Sequence, residues 1–319
     1  MKKLKSVFQI VIPLSVGLFF IYLTYIETST EEREIIFENI KKADLRIVLL
    51  SILFGVLSHL SRAYRWKFLL APLGYKPRFI NSVLAVLIAY ITNLGIPRSG
   101  EIIRATTLSA YEKIPFEKTL GTIFAERLID LFILLGFVIA SLILQFDIIW
   151  KVLTEKKISP SQIFIGLAII LVGYLVLKKF FTNSKYSFVQ KIKIFISGLA
   201  EGVLSIKKMP DKGLFIAHTL FIWLMYFAMF YVIKWTVAET VPLGLNAILP
   251  AFVVGGLAIS ATNGGIGIYP FSVALVLAAF NISNEAGLAF GWISWASQTL
   301  MIIVFGSLSF FVLPLVNRR

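Results

Sequence analysis

The chain has 319 residues, of which 58% are hydrophobic and only 15% charged, with a mean hydropathy of +0.86. That balance excludes an ordinary soluble domain of this length and describes an integral membrane protein. The formal net charge of +14 sits on lysines and arginines in short segments beside apolar runs, a positive-inside pattern that argues against nucleic acid as partner, and the absence of cysteine excludes disulfides and thiolate-ligated metals.

Met1-Lys2-Lys3-Leu4-Lys5 precedes an apolar run from Val7 to Ile26. At about 20 residues it is longer than a secretory h-region, and no small-x-small site follows, so it is expected to be a retained first span. Glu27 to Asp44 carries Glu27, Glu31, Glu32, Glu34 and Glu38 and is placed outside; Leu45 to Ser61 then returns inward. The next stretch holds Arg62, Arg65, Lys67, Lys76 and Arg78 without an acid and reads as a cytoplasmic loop.

Phe79 to Ile96 contains no charge, and is followed by a break: Asn93-Leu94-Gly95-Ile96-Pro97-Arg98-Ser99-Gly100-Glu101-Ile102-Ile103-Arg104. Pro97 removes a backbone donor and Gly95 and Gly100 relax the helix, while Arg98, Glu101 and Arg104 place charge at bilayer depth. A second cluster, Glu126, Arg127 and Asp130, interrupts the apolar stretch Leu120 to Phe146. An unpaired charge at the bilayer centre costs roughly 3 kcal/mol or more, so the two clusters are expected to neutralise one another in one polar site.

Lys178 to Lys212 is the second strongly basic region and is also placed in the cytoplasm. Three apolar segments separate it from the first: Phe79 to Ile96, Leu120 to Phe146 and Ile163 to Leu177. Parity is kept if residues 79–118 enter, break and return to the same face as a re-entrant hairpin, whose irregular backbone must line a cavity. Lys151, Lys156 and Lys157, on a loop this scheme puts outside, pull the other way. Residues 186–207 place Phe188, Ile192, Phe195, Ile196, Leu199 and Val203 at helical spacing, which suits an interfacial helix on the cytoplasmic leaflet or a helix packed on loops.

Leu214 to Trp235 crosses outward. Residues 243–282 form a second broken segment around Thr262-Asn263-Gly264-Gly265-Ile266-Gly267, and Ala286 to Leu315 ends the chain's apolar pattern. The expectation is an all-α polytopic protein of about six crossings with both termini inside and two hairpins entering from opposite faces, as in inverted repeats around a midplane site. All 319 residues form one membrane domain.

Arginine forks suit phosphate or carboxylate, so Arg98 and Arg104 read as an anion seat oriented by Glu101; a folding staple, or arginines snorkelling at the interface, would use the same residues. Glu126 and Asp130, at i and i+4, share a helix face, and either proton coupling or plain counter-charge accounts for them. Amides exposed at Gly264, Gly265 and Gly267 could bind an anion or simply turn the chain. There is no phosphate-binding G-x-x-x-x-G-K-[ST] loop, no metal-ligand cluster and no paired D-x-D. No cofactor is implied, and no catalytic residue is assigned.

Arg62-Ala63-Tyr64-Arg65-Trp66, Pro97-Arg98-Ser99-Gly100-Glu101-Ile102-Ile103-Arg104, Glu126-Arg127-Leu128-Ile129-Asp130 and Gly264-Gly265-Ile266-Gly267 occur in an order that resembles the lysylphosphatidylglycerol synthetase transmembrane, or flippase-like, family over essentially the whole chain. The resemblance implies lipid translocation in the cytoplasmic membrane. Lipid synthesis is not carried over, because no stretch resembles the soluble aminoacyl-transferase domain. Asn263 stands where the family pattern has proline, and Pro270 where it has glutamate. The sites implied are Asn93, Arg98, Glu101, Arg104, Glu126, Arg127 and Asp130, with Asn263 and the three glycines on the second break and Arg62, Arg65 and Trp66 as a cytoplasmic loop motif. The expected function is a flippase or scramblase for phospholipids or lipid-linked headgroups. The alternatives are a membrane-embedded transferase acting on a lipid carrier, and a non-catalytic subunit serving a separate soluble lipid-modifying enzyme.

Overall fold

The computed structural model describes residues 15, 18–26, 28–96, 98–145, 209–262 and 264–318, and among these every regular element is helical. The helices, beyond helical backbone at 18–26, are α1 (Thr30–Lys41), α2 (Leu45–Leu70), α3 (Phe79–Gly95), α4 (Gly100–Glu112), α5 (Phe116–Leu144), α6 (Lys212–Val232), α7 (Leu245–Ala261), α8 (Ile268–Ala278) and α9 (Asn284–Val316). Among the described residues four stretches are long and apolar enough to cross a bilayer: Leu45–Leu73, Phe116–Leu144, Lys212–Thr236 and Asn284–Val316. The apolar helices α3, α7 and α8 have 17, 17 and 11 residues, below the roughly 20 needed to span. The chain is an all-α polytopic membrane protein.

The short helices pair into two hairpins. In the first, Gly100 begins α4 against α3 so closely that a Cβ there would lie 2.3 Å from the Ala89 carbonyl oxygen, which only glycine permits. Its far end returns to where it began: Glu112, at the end of α4, accepts from the Arg78 backbone N–H at 3.1 Å and from Asn81 Nδ2 at 2.5 Å. In the second, Gly264, Gly265 and Gly267 all adopt positive φ and turn α7 into α8. Its mouth is closed by Glu239, which accepts from the backbone and hydroxyl of Ser283 at 3.0 and 2.9 Å.

Helix α9 relates the two. It starts one residue after Ser283 and ends at Val316, whose carbonyl accepts from Arg78 at 3.3 Å while Asn317 bonds with Asn81. The hairpins therefore open at opposite ends of α9, and their tips meet between: a Cβ on Gly264 would touch Leu94 at 2.7 Å, and Trp295 Nε1 donates to the Gly264 carbonyl at 2.7 Å. Helices α2 and α6 run antiparallel, tied by Ser61 to His218 at 2.8 Å and by Ser51 to the Met229 carbonyl at 2.8 Å. Helix α5 leaves the first mouth and reaches the second, where the Gln145 side chain donates to the Asn246 carbonyl.

One expectation changes, and two segments gain detail. The second span does not stop at Ser61: α2 continues to Leu70, so Arg62, Arg65 and Trp66 lie in a buried helix and not in a cytoplasmic loop. The acidic stretch Glu27 to Asp44 contains a helix, α1, capped by Ser29 and buried through Ile36 against the second hairpin. The first hairpin ends at Glu112, and α5 begins at Phe116, four residues before Leu120. The segments proposed at 147–161, 163–177 and 186–207, and most of the run from Val7, lie outside the described residues.

Candidate functional site

Helix α2 places Arg62, Arg65 and Trp66 at i, i+3 and i+4, on one face; α5 places Glu126 and Asp130 at i and i+4 opposite them; α4 adds Glu101 and Arg104. Arg62 Nη1 donates to Glu126 Oε1 at 2.5 Å and to Asp130 Oδ2 at 2.8 Å. Arg65 bonds Asp130 at 3.0 Å, Thr219 of α6 at 2.9 Å, and approaches Glu126 to 3.3 Å. Arg104 takes Glu126 in a two-pronged grip, both bonds 3.1 Å, and its guanidinium lies 3.8 Å from the centre of the Trp66 ring. Trp66 in turn donates to Thr122 at 2.9 Å.

These groups are deeply enclosed. Glu126 and Arg65 are fully buried, and Arg62 and Arg104 are 2% and 3% exposed. Charges taken out of water at this depth are tolerable only as a hydrogen-bonded network, and the guanidiniums between Glu126 and Asp130 offset the repulsion of two carboxylates one turn apart. A further pair, Arg127 to Glu101 at 2.9 Å, is different: its side chains are 41% and 24% exposed, and it bridges α5 to the first turn of α4.

Beside the network a narrow cleft is lined by Arg62, Tyr90, Asn93, Glu101, Arg104 and Arg127, with about 10 Å³ open to a water centre, room for roughly one water. Tyr90 bonds Tyr226 through their hydroxyls at 2.8 Å, and the buried His59 ring lies 4.3 Å from Tyr90.

The structure thus joins Glu101, Arg104, Glu126, Arg127 and Asp130, with Asn93 beside them, its carboxamide oxygen accepting from the Gly100 N–H at 2.7 Å. Arg98 is not part of the network. It sits exposed at the hairpin tip with φ of 62°, without an ion pair among the described residues. Gly264, Gly265 and Gly267 form a packed turn that makes no hydrogen bond with the charged set, and Asn263 lies outside the described residues. Thr219, Tyr90 and Tyr226 were not singled out by sequence; the polar stripe Ser58, His59, Arg62, Arg65 at helical spacing in an apolar helix is the signal that marks the α2 face. Among the described residues no group of three or more His, Cys, Asp or Glu could hold a metal.

A membrane protein of Methanocaldococcus jannaschii, named UPF0104 membrane protein MJ1595, is 36% identical over 93 residues, which cover 28% of this chain and 28% of that protein. No solved structure matches the chain. The family model described as the lysylphosphatidylglycerol synthase TM region matches residues 10–306, so the chain belongs to that family.

Proposed function

We propose that this protein moves lipid headgroups across the cytoplasmic membrane, as a flippase or scramblase, with the first hairpin opening on the cytoplasmic face where Arg78 and both termini lie. Acyl chains stay in the bilayer while the headgroup passes the hairpin tips. The observation that carries this reading is the graded series of charges along the first hairpin: exposed Arg98 at the tip, the half-exposed Arg127–Glu101 pair next, and the sealed arginine–carboxylate network behind. A purely structural staple needs only the sealed part, because partly exposed charge at bilayer depth is costly unless water or a polar ligand reaches it. That the family is the transmembrane region of lysylphosphatidylglycerol synthase supports a lipid as cargo.

The test is a proteoliposome assay following labelled phospholipids of different headgroups between leaflets. Wild type is compared with Arg98→Ala and Arg127→Gln, neither of which removes a sealed contact. Movement that falls at least several-fold in either variant supports translocation. No movement with folded wild-type protein overturns it, and product formed from an added lipid-linked donor would assign a transferase instead.

A further inference from the structure

In the sealed network three guanidiniums, those of Arg62, Arg65 and Arg104, face two carboxylates, Glu126 and Asp130, whereas Arg127 and Glu101 balance each other. Among the described residues the set therefore carries one positive charge too many. In a low-dielectric interior such a surplus is unfavourable until a counter-charge arrives. The arginines also have unused donors: the Nε–H groups of Arg62, Arg104 and Arg127 are buried without a partner, and all three residues line the same cleft.

Two further features of the cleft wall favour negative charge. Asn93 uses its oxygen on Gly100 and leaves its amide nitrogen without a hydrogen-bond partner among the described residues. The first turn of the 13-residue helix α4 starts here, and its preceding residue, Ser99, makes no side-chain cap to the helix amides. Asn93 takes the Gly100 N–H, and the amides of the first turn beyond it carry partial positive charge that adds to that of the arginines.

We propose that this cleft is an oxyanion site, admitting one anionic oxygen as the missing counter-charge of the arginine network. The oxygen comes from the phosphate of a lipid headgroup or from a free phosphate ion. With room for about one water, the closed cleft accommodates a single oxygen, and a whole phosphate enters only as the exposed Arg127–Glu101 pair separates. The inference deepens the translocation reading by naming its ligand class, but it concerns binding, and it can hold even where no lipid crosses.

The experiment uses full-length protein, delipidated in an uncharged detergent, with thermal unfolding followed by tryptophan fluorescence at constant potassium in gluconate. Three probes are titrated: inorganic phosphate, dihexanoyl phosphatidylglycerol, and dihexanoylglycerol, which has no phosphate. Saturable stabilisation of wild type by both phosphate probes and not by dihexanoylglycerol is expected; stabilisation by the phospholipid alone assigns the lipid source, and by inorganic phosphate alone the free ion. Asn93→Asp keeps the acceptor for Gly100 and supplies the counter-charge internally. It should raise the midpoint in gluconate and lose the phosphate response. Glu101→Gln, which increases the surplus, should tighten phosphate binding by about tenfold. No response of wild type to either phosphate probe, stabilisation by dihexanoylglycerol to the same extent, a full wild-type response in Asn93→Asp, or unchanged or weaker binding in Glu101→Gln would each overturn the proposal. Should Asn93→Asp fail to fold, Glu101→Gln decides.

Discussion

The two hairpins share a plan and differ in how they are held. The first is fixed through charge: Arg104 of α4 grips Glu126 of α5, which is shared with Arg62 and Arg65 of α2. The second is fixed through shape: its turn glycines sit at positive φ, Gly265 lies within contact of Ile259 and Tyr269, and Tyr269 reaches Ser294 of α9 through a neutral hydroxyl pair at 2.9 Å. Neutral packing can be rebuilt by small shifts of side chains, while a buried ionic network tolerates only its own geometry and stoichiometry. On the proposed function, this difference would put ligand handling on the first hairpin and scaffolding on the second.

The sharpest way to break this contrast is Glu126→Gln, which leaves Arg62 and Arg65 sharing Asp130 and Arg104 without its carboxylate. A loss of about 3–5 kcal/mol is expected, visible as a collapse in folded yield on size exclusion, and adding Arg104→Met should recover part of it. Gly265→Ala tests the other side: a side chain at its positive φ costs about 1–3 kcal/mol, lowering the thermal midpoint without changing the phosphate response. If that response vanished as well, the two hairpins would not be separable in function. Arg127→Gln should change stability by less than about 1 kcal/mol, since the pair is partly exposed, while slowing lipid movement.

The smallest effect lies on α1, which covers the mouth of the second hairpin. The Ser29 backbone N–H, donating at 2.6 Å, holds the Glu32 carboxyl below its ordinary 4.5. A carboxyl lowered on folding stabilises above its ordinary value, and that contribution fades as pH falls through the folded one. The thermal midpoints of wild type and Glu32→Gln should therefore differ at pH 6 and converge as pH falls through the lowered carboxyl value, below 4.5.

Local chemistry made the breaks readable. Helix α3 ends at Gly95 and α4 begins at Gly100, around the proline the sequence offered, and α7 gives way to α8 across the glycine run. Glu126 and Asp130 were legible as a pair because a helix face is fixed by spacing alone. Arg62 and Arg65 were misplaced because their charge was weighed as a topogenic signal while their period was not: Ser51, Gly55, Ser58, Arg62 and Arg65 recur at three- and four-residue steps, all on the buried side of α2. Thr219 had no such signal. Its partner Arg65 is 154 residues away, and only the assembled bundle brings them together.

The length of α9 has a mechanical consequence. Its 33 residues make a rod of about 50 Å, against roughly 30 Å of hydrocarbon, and between Glu285 and Arg318 it carries no charge that would mark a natural exit. A rod too long for its slab leans, and leaning displaces its ends sideways. Each end of this rod carries the mouth of one hairpin, so thinning or thickening the bilayer would slide the two tips past one another. On the proposed translocation reading, membrane thickness would act as a dial on headgroup passage between them, readable as a dependence of lipid movement on acyl-chain length in the proteoliposome.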